Sequence, residues 1–173
     1  MAGTAEVLRA MERLPNVHYS VLVPNQRGLQ DLLALLEKYP ESPPLTDEIS
    51  VFTSATELFT RRNLNCSIAE SLQKLEVVTR TALEKGLRVR GYVSVAVVCP
   101  FEGRTDYKRV RDMTKELLDM GCYEVSLGET VGQGRPHEVA EMIEEVKKAV
   151  PVSKLAVSFP SHFFFQIRLI SPI

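Results

Sequence analysis

The sequence is poor in cysteine, in net charge and in long apolar runs. Three cysteines, Cys66, Cys99 and Cys122, occur in 173 residues without a C-x-x-C pair, which argues against a disulfide framework and favours a reducing compartment. Lys and Arg number 21 against 22 Asp and Glu, so the charge gives no attraction to nucleic acid or to an anionic membrane surface. No run reaches the roughly 18 apolar residues of a membrane-spanning helix. We therefore expect neither nucleic acid nor a membrane as a partner.

Motifs that bind metals or phosphates are also missing. The three histidines are far apart in the sequence, with no H-x-H or H-x-x-x-H pair. Gly128, Gly132 and Gly134 follow a predicted strand, but their spacing is neither the dinucleotide fingerprint nor the P-loop, and a tight turn that needs positive φ is favoured. Glu57 and Glu129 follow predicted strands, but they supply two carboxylates without a histidine, which makes at best a weak oxygen-type metal site. We favour the interpretation that both carboxylates accept hydrogen bonds from their loops.

What is present is an alternation of strands and helices in a chain that is 45% apolar and 25% charged, the composition of one globular domain. After a helix in the first 14 residues, strand and helix alternate four times and one more strand follows. This order predicts a parallel sheet with right-handed crossovers. An open doubly wound sheet and a (β/α)8 barrel share the pattern, and the length, well below the roughly 250 residues of a full barrel, slightly favours the open sheet. Predicted strands cover 19–23, 49–53, 88–98, 123–127 and 154–157, and predicted helices cover 1–14, 28–39, 68–85, 106–120 and 136–150.

The last segment, residues 158–173, departs from this alternation. It holds four of the seven phenylalanines, three of them consecutive at 163–165, and shows neither a helical nor an alternating period. We predict that it forms an aperiodic tail with an exposed aromatic cluster, which is a liability for association.

Six phrases of the sequence carry a resemblance to a known family. The phrases are VPN at 23–25, ATELF at 55–59, NLNCS at 63–67, VRGYVS at 89–94, CPFEG at 99–103 and MGCYEVSLG at 120–128. In this order and spacing they resemble the 3-hydroxy-3-methylglutaryl-CoA lyase (HMG-CoA lyase) family, metal-dependent members of the pyruvate-carboxyltransferase-like TIM-barrel group. The likeness runs over residues 1–157. The resemblance implies an α/β fold that is a partial (β/α)8 TIM barrel, comprising about strands three to seven of the barrel. Residues 158–173 would be a divergent tail. This expectation replaces the preference for an open sheet.

The resemblance also implies a reaction and a compartment. Family members cleave HMG-CoA to acetyl-CoA and acetoacetate, in leucine catabolism and ketone-body formation, usually in mitochondria. Mg or Mn acts as a Lewis acid while a base removes the proton of the tertiary hydroxyl. The N-terminal residues lack the character of a transit peptide, so a cytoplasmic location stays open.

Six residues match positions that line the barrel mouth in this family. Arg90 and Tyr92 would shape the acyl pocket, and Thr130 would support the surroundings of the metal. Glu129 stands where the family usually has aspartate, and its extra methylene moves the carboxylate about a bond length outward. The predicted substrate-binding residues are Asn25, Thr56, Arg90, Tyr92, Glu129 and Thr130.

The metal ligands of the family are not matched. Where the family has His-x-His after Leu155-Ala-Val157, this chain has Ser158 and Pro160. The family's other ligands belong to strands that this sequence does not match. We therefore assign no catalytic residue and no metal ligand, and we expect the family's Mg or Mn not to be bound by this chain, an incomplete family member that is inactive alone.

Two alternatives remain open at this point. The chain could derive from a related Claisen-type synthase of the same superfamily, although the cysteine-bearing phrases favour the lyase. It could also be a non-catalytic partner of a full-length lyase, because five barrel strands would leave two open parallel edges that promote self-association.

Overall fold

The computed structural model describes residues 3–160 and 166–168 as a six-stranded sheet with helices packed against it. A short 3-10 turn, Val152–Lys154, precedes the seventh strand. The helices are α1 (Thr4–Ala10), α2 (Gln26–Lys38), α3 (Glu57–Leu64), α4 (Ile68–Glu84), α5 (Tyr107–Asp119) and α6 (Pro136–Lys147), and the strands are β1 (Ser20–Leu22), β2 (Glu48–Ser54), β3 (Arg88–Ser94), β4 (Val98–Cys99), β5 (Gly103–Arg104), β6 (Glu124–Gly128), β7 (Leu155–Ser158) and β8 (Gln166–Arg168).

Five strands of the large sheet are parallel, in the order β1-β2-β3-β6-β7, and β8 adds an antiparallel neighbour to β7. Strands β4 and β5 form a separate antiparallel hairpin. The predicted α/β class is confirmed, since five adjacent parallel strands joined through helices form the arc of a partial barrel.

The tail differs from its prediction in one respect. Residues 166–168 form β8, which pairs antiparallel with β7, so the prediction of two open parallel edges was wrong. Within the described residues, β1 and β8 are the two edge strands of this sheet, and β1 is its one parallel edge. Three residues are too few to show a period, which is why β8 was missed. The aromatic cluster at 163–165 and His162 lie outside the described residues.

The two faces of β3 differ, and the sequence shows why. Val89, Gly91 and Val93 are buried on the face against which α4 and α5 pack. A Cβ at Gly91 would lie 3.1 Å from both Leu117 Cδ1 and Val125 Cγ2, so the close approach of α5 requires glycine at this position. The alternate residues of β3 are polar and form the opposite, partly exposed face of the sheet.

Helix boundaries follow their capping residues. Helix α2 begins two residues earlier than predicted because Asn25 is its N-cap, with Oδ1 accepting from Gly28 N at 3.0 Å. Helix α4 begins with a capping box between Ser67 and Glu70. As predicted, it is followed by Gly86, which has φ +78°. Helix α3, eight residues long, was not predicted. None of the described helices is long and apolar enough to cross a membrane.

Strand β3 ends at Ser94, whereas the sequence pattern predicted a strand that continues to residue 98. Val95 adopts φ +52°, which is rare for a β-branched residue. Its N–H donates to Thr130 Oγ1 at 2.8 Å, and its carbonyl accepts from Thr105 Oγ1 at 2.6 Å. Because side chains bind both backbone groups of Val95, the ladder stops here and the chain turns into the β4–β5 hairpin.

Candidate functional site

The carboxyl ends of the parallel strands meet at one edge of the sheet. Ser54 is in register with Ser94, and Gly128 with Ser158. Parallel hydrogen bonding continues past the strands, since Ala96 N donates to the carbonyl of Gly128 at 2.9 Å. Residues that follow these strands therefore lie at a common mouth, where parallel α/β folds place their sites.

A buried ion pair stands on the polar face of the sheet below this mouth. Arg90 Nη2 lies 2.7 Å from Glu124 Oε1, and Arg90 Nη1 donates to the Tyr92 hydroxyl at 3.0 Å. The side chains of Arg90 and Glu124 are 15% and 4% exposed. A desolvated pair of this kind fixes the orientation of both groups, and removing either partner leaves a costly buried charge. The ion pair thus orients Arg90, and the hydrogen bond from Arg90 holds Tyr92 beside it. The two residues are neighbours in the predicted acyl pocket.

Glu129 is enclosed by its own loop. Its carboxylate accepts hydrogen bonds from the backbone N–H groups of Gly132 at 2.7 Å, Gln133 at 3.3 Å and Gly134 at 3.2 Å, and the residue is 3% exposed. Gly132 has φ +74°, which confirms the predicted tight turn. A Cβ at Gly134 would lie 2.8 Å from Glu129 Cγ. The carboxylate therefore organises the loop after β6.

The same holds for the second carboxylate at the mouth. Glu57 Oε2 accepts from the backbone N–H of Ile68 at 3.0 Å, and its Oε1 lies 3.2 Å from Arg61 Nη2. It therefore joins the start of α3 to the start of α4. The favoured interpretation of both carboxylates as loop acceptors is confirmed.

The remaining predicted residues also hold local structure at the mouth. Thr56 Oγ1 donates to Cys99 Sγ at 3.1 Å, and Thr130 Oγ1 binds Val95 N. These two hydroxyls brace the loop after β3 from either side, while Asn25 caps α2 at the end of β1. Asn25, Thr56, Glu129 and Thr130 thus stand at one edge of the sheet, and Arg90 and Tyr92 lie on the polar face below it. A direct contact of any of the six with substrate stays a prediction.

Sequence reasoning missed two residues of the polar face. Glu124, the partner of Arg90, and Ser126, which is in register with Tyr92, both lie on β6. Ser126 Oγ is buried without a hydrogen-bond partner in the described part of the chain. The alternation of polar and apolar residues in β6 was the available signal, because it puts both side chains on the face of Arg90.

The structure offers little to a divalent metal. Among residues 3–160 and 166–168, no three His, Cys, Asp or Glu side chains come together in a group that could hold a metal ion. The carboxylate of Glu129 is used by three backbone N–H groups, and Ser158 at the end of β7 offers only a hydroxyl. The described residues therefore do not fit the Mg or Mn site that the resemblance implies.

A groove of about 660 Å³ lies at the β1 edge of the sheet, between α1, β1 and α2. Asn25 lines it, but Arg90, Tyr92 and Glu129 do not. We place the candidate substrate site at the polar face and not in this groove, because the buried ion pair and the strand ends are there.

Comparison with known proteins gives consistent results. A family model described as HMGL-like matches residues 4–163. The mitochondrial hydroxymethylglutaryl-CoA lyase of Bos taurus is 44% identical over 157 residues, which are 91% of this chain and 46% of that protein. The cytoplasmic 3-hydroxy-3-methylglutaryl-CoA lyase of Danio rerio is 45% identical, again over 91% of this chain and over 44% of the relative.

A solved structure agrees with these relatives. The hydroxymethylglutaryl-CoA lyase of Pseudomonas aeruginosa superposes with a TM-score of 0.83 at 40% identity, covering 92% of this chain and 50% of that one. The chain spans about half the length of the curated relatives it matches. Because the family match covers nearly all described residues and the parallel arc superposes closely, the chain belongs to the HMGL-like family.

Proposed function

We propose that this chain serves HMG-CoA lyase chemistry by binding the acyl end of the substrate at its polar face. The observation that carries the proposal is the Arg90–Glu124 pair with Tyr92 beside it. An oriented guanidinium and a phenol suit an acyl group that bears a carboxylate, a tertiary hydroxyl and a thioester carbonyl. Tyr92, two residues before β3 ends at Ser94, extends this pair toward the mouth, which supports the proposal.

The reaction itself breaks the bond between the carbinol carbon and the methylene carbon next to the thioester. The hydroxyl proton leaves, acetoacetate forms, and the acetyl-CoA enolate takes up a proton on carbon. We assign no base here, because the carboxylates of Glu57 and Glu129 accept backbone hydrogen bonds. We derive no step through a metal either, since the described residues do not fit one. We therefore propose that the 173-residue chain binds acyl-CoA without cleaving it.

The experiment is a paired assay on the purified chain. We expect no release of acetoacetate with either Mg or Mn, and measurable binding of HMG-CoA by calorimetry. Tyr92→Phe removes the hydroxyl bonded to Arg90 and should weaken binding about five- to tenfold. Tyr107→Phe, on α5, is the matched control and should bind as the wild type does. Turnover at family rates would contradict the inactivity, and a folded chain that fails to bind HMG-CoA would contradict the site.

We propose a mitochondrial compartment and a role in leucine catabolism and ketone-body formation. The bovine relative is named mitochondrial and the zebrafish relative cytoplasmic, so the cytoplasm is the competing location. Fractionation of cells that express the chain with a small C-terminal tag distinguishes the two compartments.

A second candidate function is a non-catalytic partner of a full-length lyase. The observation that favours it is β1, which is hydrogen-bonded on one side only within the described residues. Such an edge accepts a further strand. Copurification with an intact lyase whose activity changes on binding would support this role, and a lyase that neither binds nor changes its activity would exclude it.

A further inference from the structure

One buried hydroxyl on the polar face lacks a hydrogen-bond partner. Ser126 is completely buried, and its Oγ bonds to no atom in the described part of the chain. Folding an unpaired hydroxyl into the interior costs the hydrogen bonds that it made with water. A group of this kind in a native protein is explained by strain, by a trapped water or by a ligand that completes it.

The surroundings of Ser126 favour a ligand. Ser126 is in register with Tyr92 on β3 and with Ala156 on β7, and Glu124 lies two residues before it on the same face. The next position toward the mouth is Gly128, which has no side chain, and Ala156 ends at Cβ. On this face, therefore, no bulky side chain of β6 or β7 stands between Ser126 and the carboxyl ends of these strands.

A second unpaired hydroxyl provides a contrast on the other face of the sheet. Thr53 Oγ1 is equally buried and has no partner among the residues that the structure describes. Thr53 is in register with Val93, so it lies on the face that the helices cover. A ligand that enters at the mouth along the polar face passes Ser126 and does not meet Thr53.

The charges beside Ser126 determine which kind of ligand oxygen suits it. The guanidinium of Arg90 is paired with the carboxylate of Glu124 at 2.7 Å, so the two charges cancel and a ligand carboxylate here would be repelled by Glu124. The Tyr92 hydroxyl accepts from Arg90, which leaves its own proton to donate. Two hydroxyl donors without net charge suit a carbonyl oxygen, because it has two lone pairs and no proton.

We propose that Ser126 is a specificity-determining residue whose hydroxyl, together with that of Tyr92, donates to the thioester carbonyl oxygen of a bound acyl-CoA. The proposal rests on the acyl-binding function proposed above and assigns one ligand atom to one side of that site. Because the Ser126 hydroxyl bonds to nothing in the described chain, a ligand gains this hydrogen bond without breaking another one within the protein.

Calorimetry with matched ligands tests the assignment on the full chain. Ser126→Ala should weaken the binding of HMG-CoA and of butyryl-CoA about fivefold, through the loss of one hydrogen bond. The variant should bind S-butyl-CoA, a thioether in which a methylene replaces the carbonyl, as the wild type does. 3-Hydroxy-3-methylbutyryl-CoA lacks the terminal carboxylate of HMG-CoA and should lose the same factor as HMG-CoA does.

Thr53→Val is the matched control variant, because it also removes a buried hydroxyl that has no partner. It should bind all four ligands with the affinity of the wild type. Neither variant should lower the midpoint of urea denaturation, since each removes a hydroxyl that bonds to nothing in the described chain. A clearly lower midpoint for S126A would show that its hydroxyl is bonded within the fold, and this would overturn the proposal.

The binding results that overturn the proposal differ from those that overturn acyl binding itself. Equal affinity of S126A and the wild type for HMG-CoA would leave a trapped water as the partner of Ser126. An equal loss with S-butyl-CoA and butyryl-CoA excludes the carbonyl, and a loss confined to HMG-CoA moves the contact to the carboxylate. In each of these cases the wild type still binds HMG-CoA. A folded wild-type chain that binds none of the acyl-CoA ligands contradicts the proposed function, and the role of Ser126 with it.

Discussion

The hydroxyl of Thr130 accepts a hydrogen bond from the backbone N–H of Val95 at 2.8 Å. The two residues are 35 positions apart in sequence, and their contact joins the loop after β6 to the point where β3 ends. Val95 is fully buried and has φ +52°. The conformation of the mouth next to Tyr92 thus depends on a threonine hydroxyl from the neighbouring βα loop.

Thr130→Val should destabilise the chain by about 1–3 kcal/mol, because it leaves the buried N–H of Val95 without an acceptor. Urea denaturation measures the free energy of unfolding. Thr130→Ser keeps the hydroxyl and should lose less than half as much. A Thr130→Val variant as stable as the wild type would contradict the role of the hydrogen bond.

Glu129→Asp, which installs the residue usual in the family, should loosen residues 130–134. The shorter side chain cannot reach the three N–H groups that Glu129 binds together. We expect amide exchange in this loop to accelerate about tenfold while exchange in β6 stays unchanged. Glu141→Asp on α6, where the carboxylate is exposed, is the control. Unchanged exchange in the Glu129 variant would contradict the role of the carboxylate.

Gly91→Ala should cost about 1–3 kcal/mol through overpacking against Leu117 and Val125. The double variant G91A/L117A tests the cause, because the smaller residue on α5 makes room for the new methyl group. The cost of G91A should fall markedly in the L117A background, a coupling that denaturation of all four proteins measures. Additive losses would show that some other contact of Gly91 decides its cost.

Burial raises the pKa of the Cys122 thiol to about 12, so little thiolate forms near neutral pH. Iodoacetamide at about pH 8 should leave Cys122 unmodified in the folded chain and modify it fully in guanidinium, as peptide mass spectrometry can show. A pKa raised by folding stabilises the native state below the unfolded value, which is about 8.5. That contribution is lost as pH rises toward 12. Rapid labelling of the folded chain would contradict the burial.

Local patterns predicted most of the fold. Helices α4 and α5 begin at capping residues that are visible in the sequence, Ser67 and Asp106. Strands β2 and β6 coincide with apolar runs. The end of β3 could not be predicted, because the left-handed turn at Val95 depends on hydroxyls from Thr105 and Thr130 that the sequence places far from it. Helix α3 is too short for its period to be distinguished from a loop.

The candidate site was predictable in its positions but not in its contacts. The resemblance located Arg90 and Tyr92, while the partner of Arg90 followed only from the register between β3 and β6. The same register explains why Glu124, charged and nearly inaccessible, is tolerated in a buried strand. Pattern alone could not show that Glu129 is held by its own loop, because that requires the path of residues 130–134.

The position of β3 between β2 and β6 also determines how the mouth opens. A central strand has backbone hydrogen bonds on both sides and exchanges its amides later than an edge strand such as β1. Amides near Val21 should therefore exchange before those near Tyr92. We expect the Asn25 side of the mouth to open more readily than the Arg90 side, so that a bound acyl group would be anchored on β3 and reach solvent past β1.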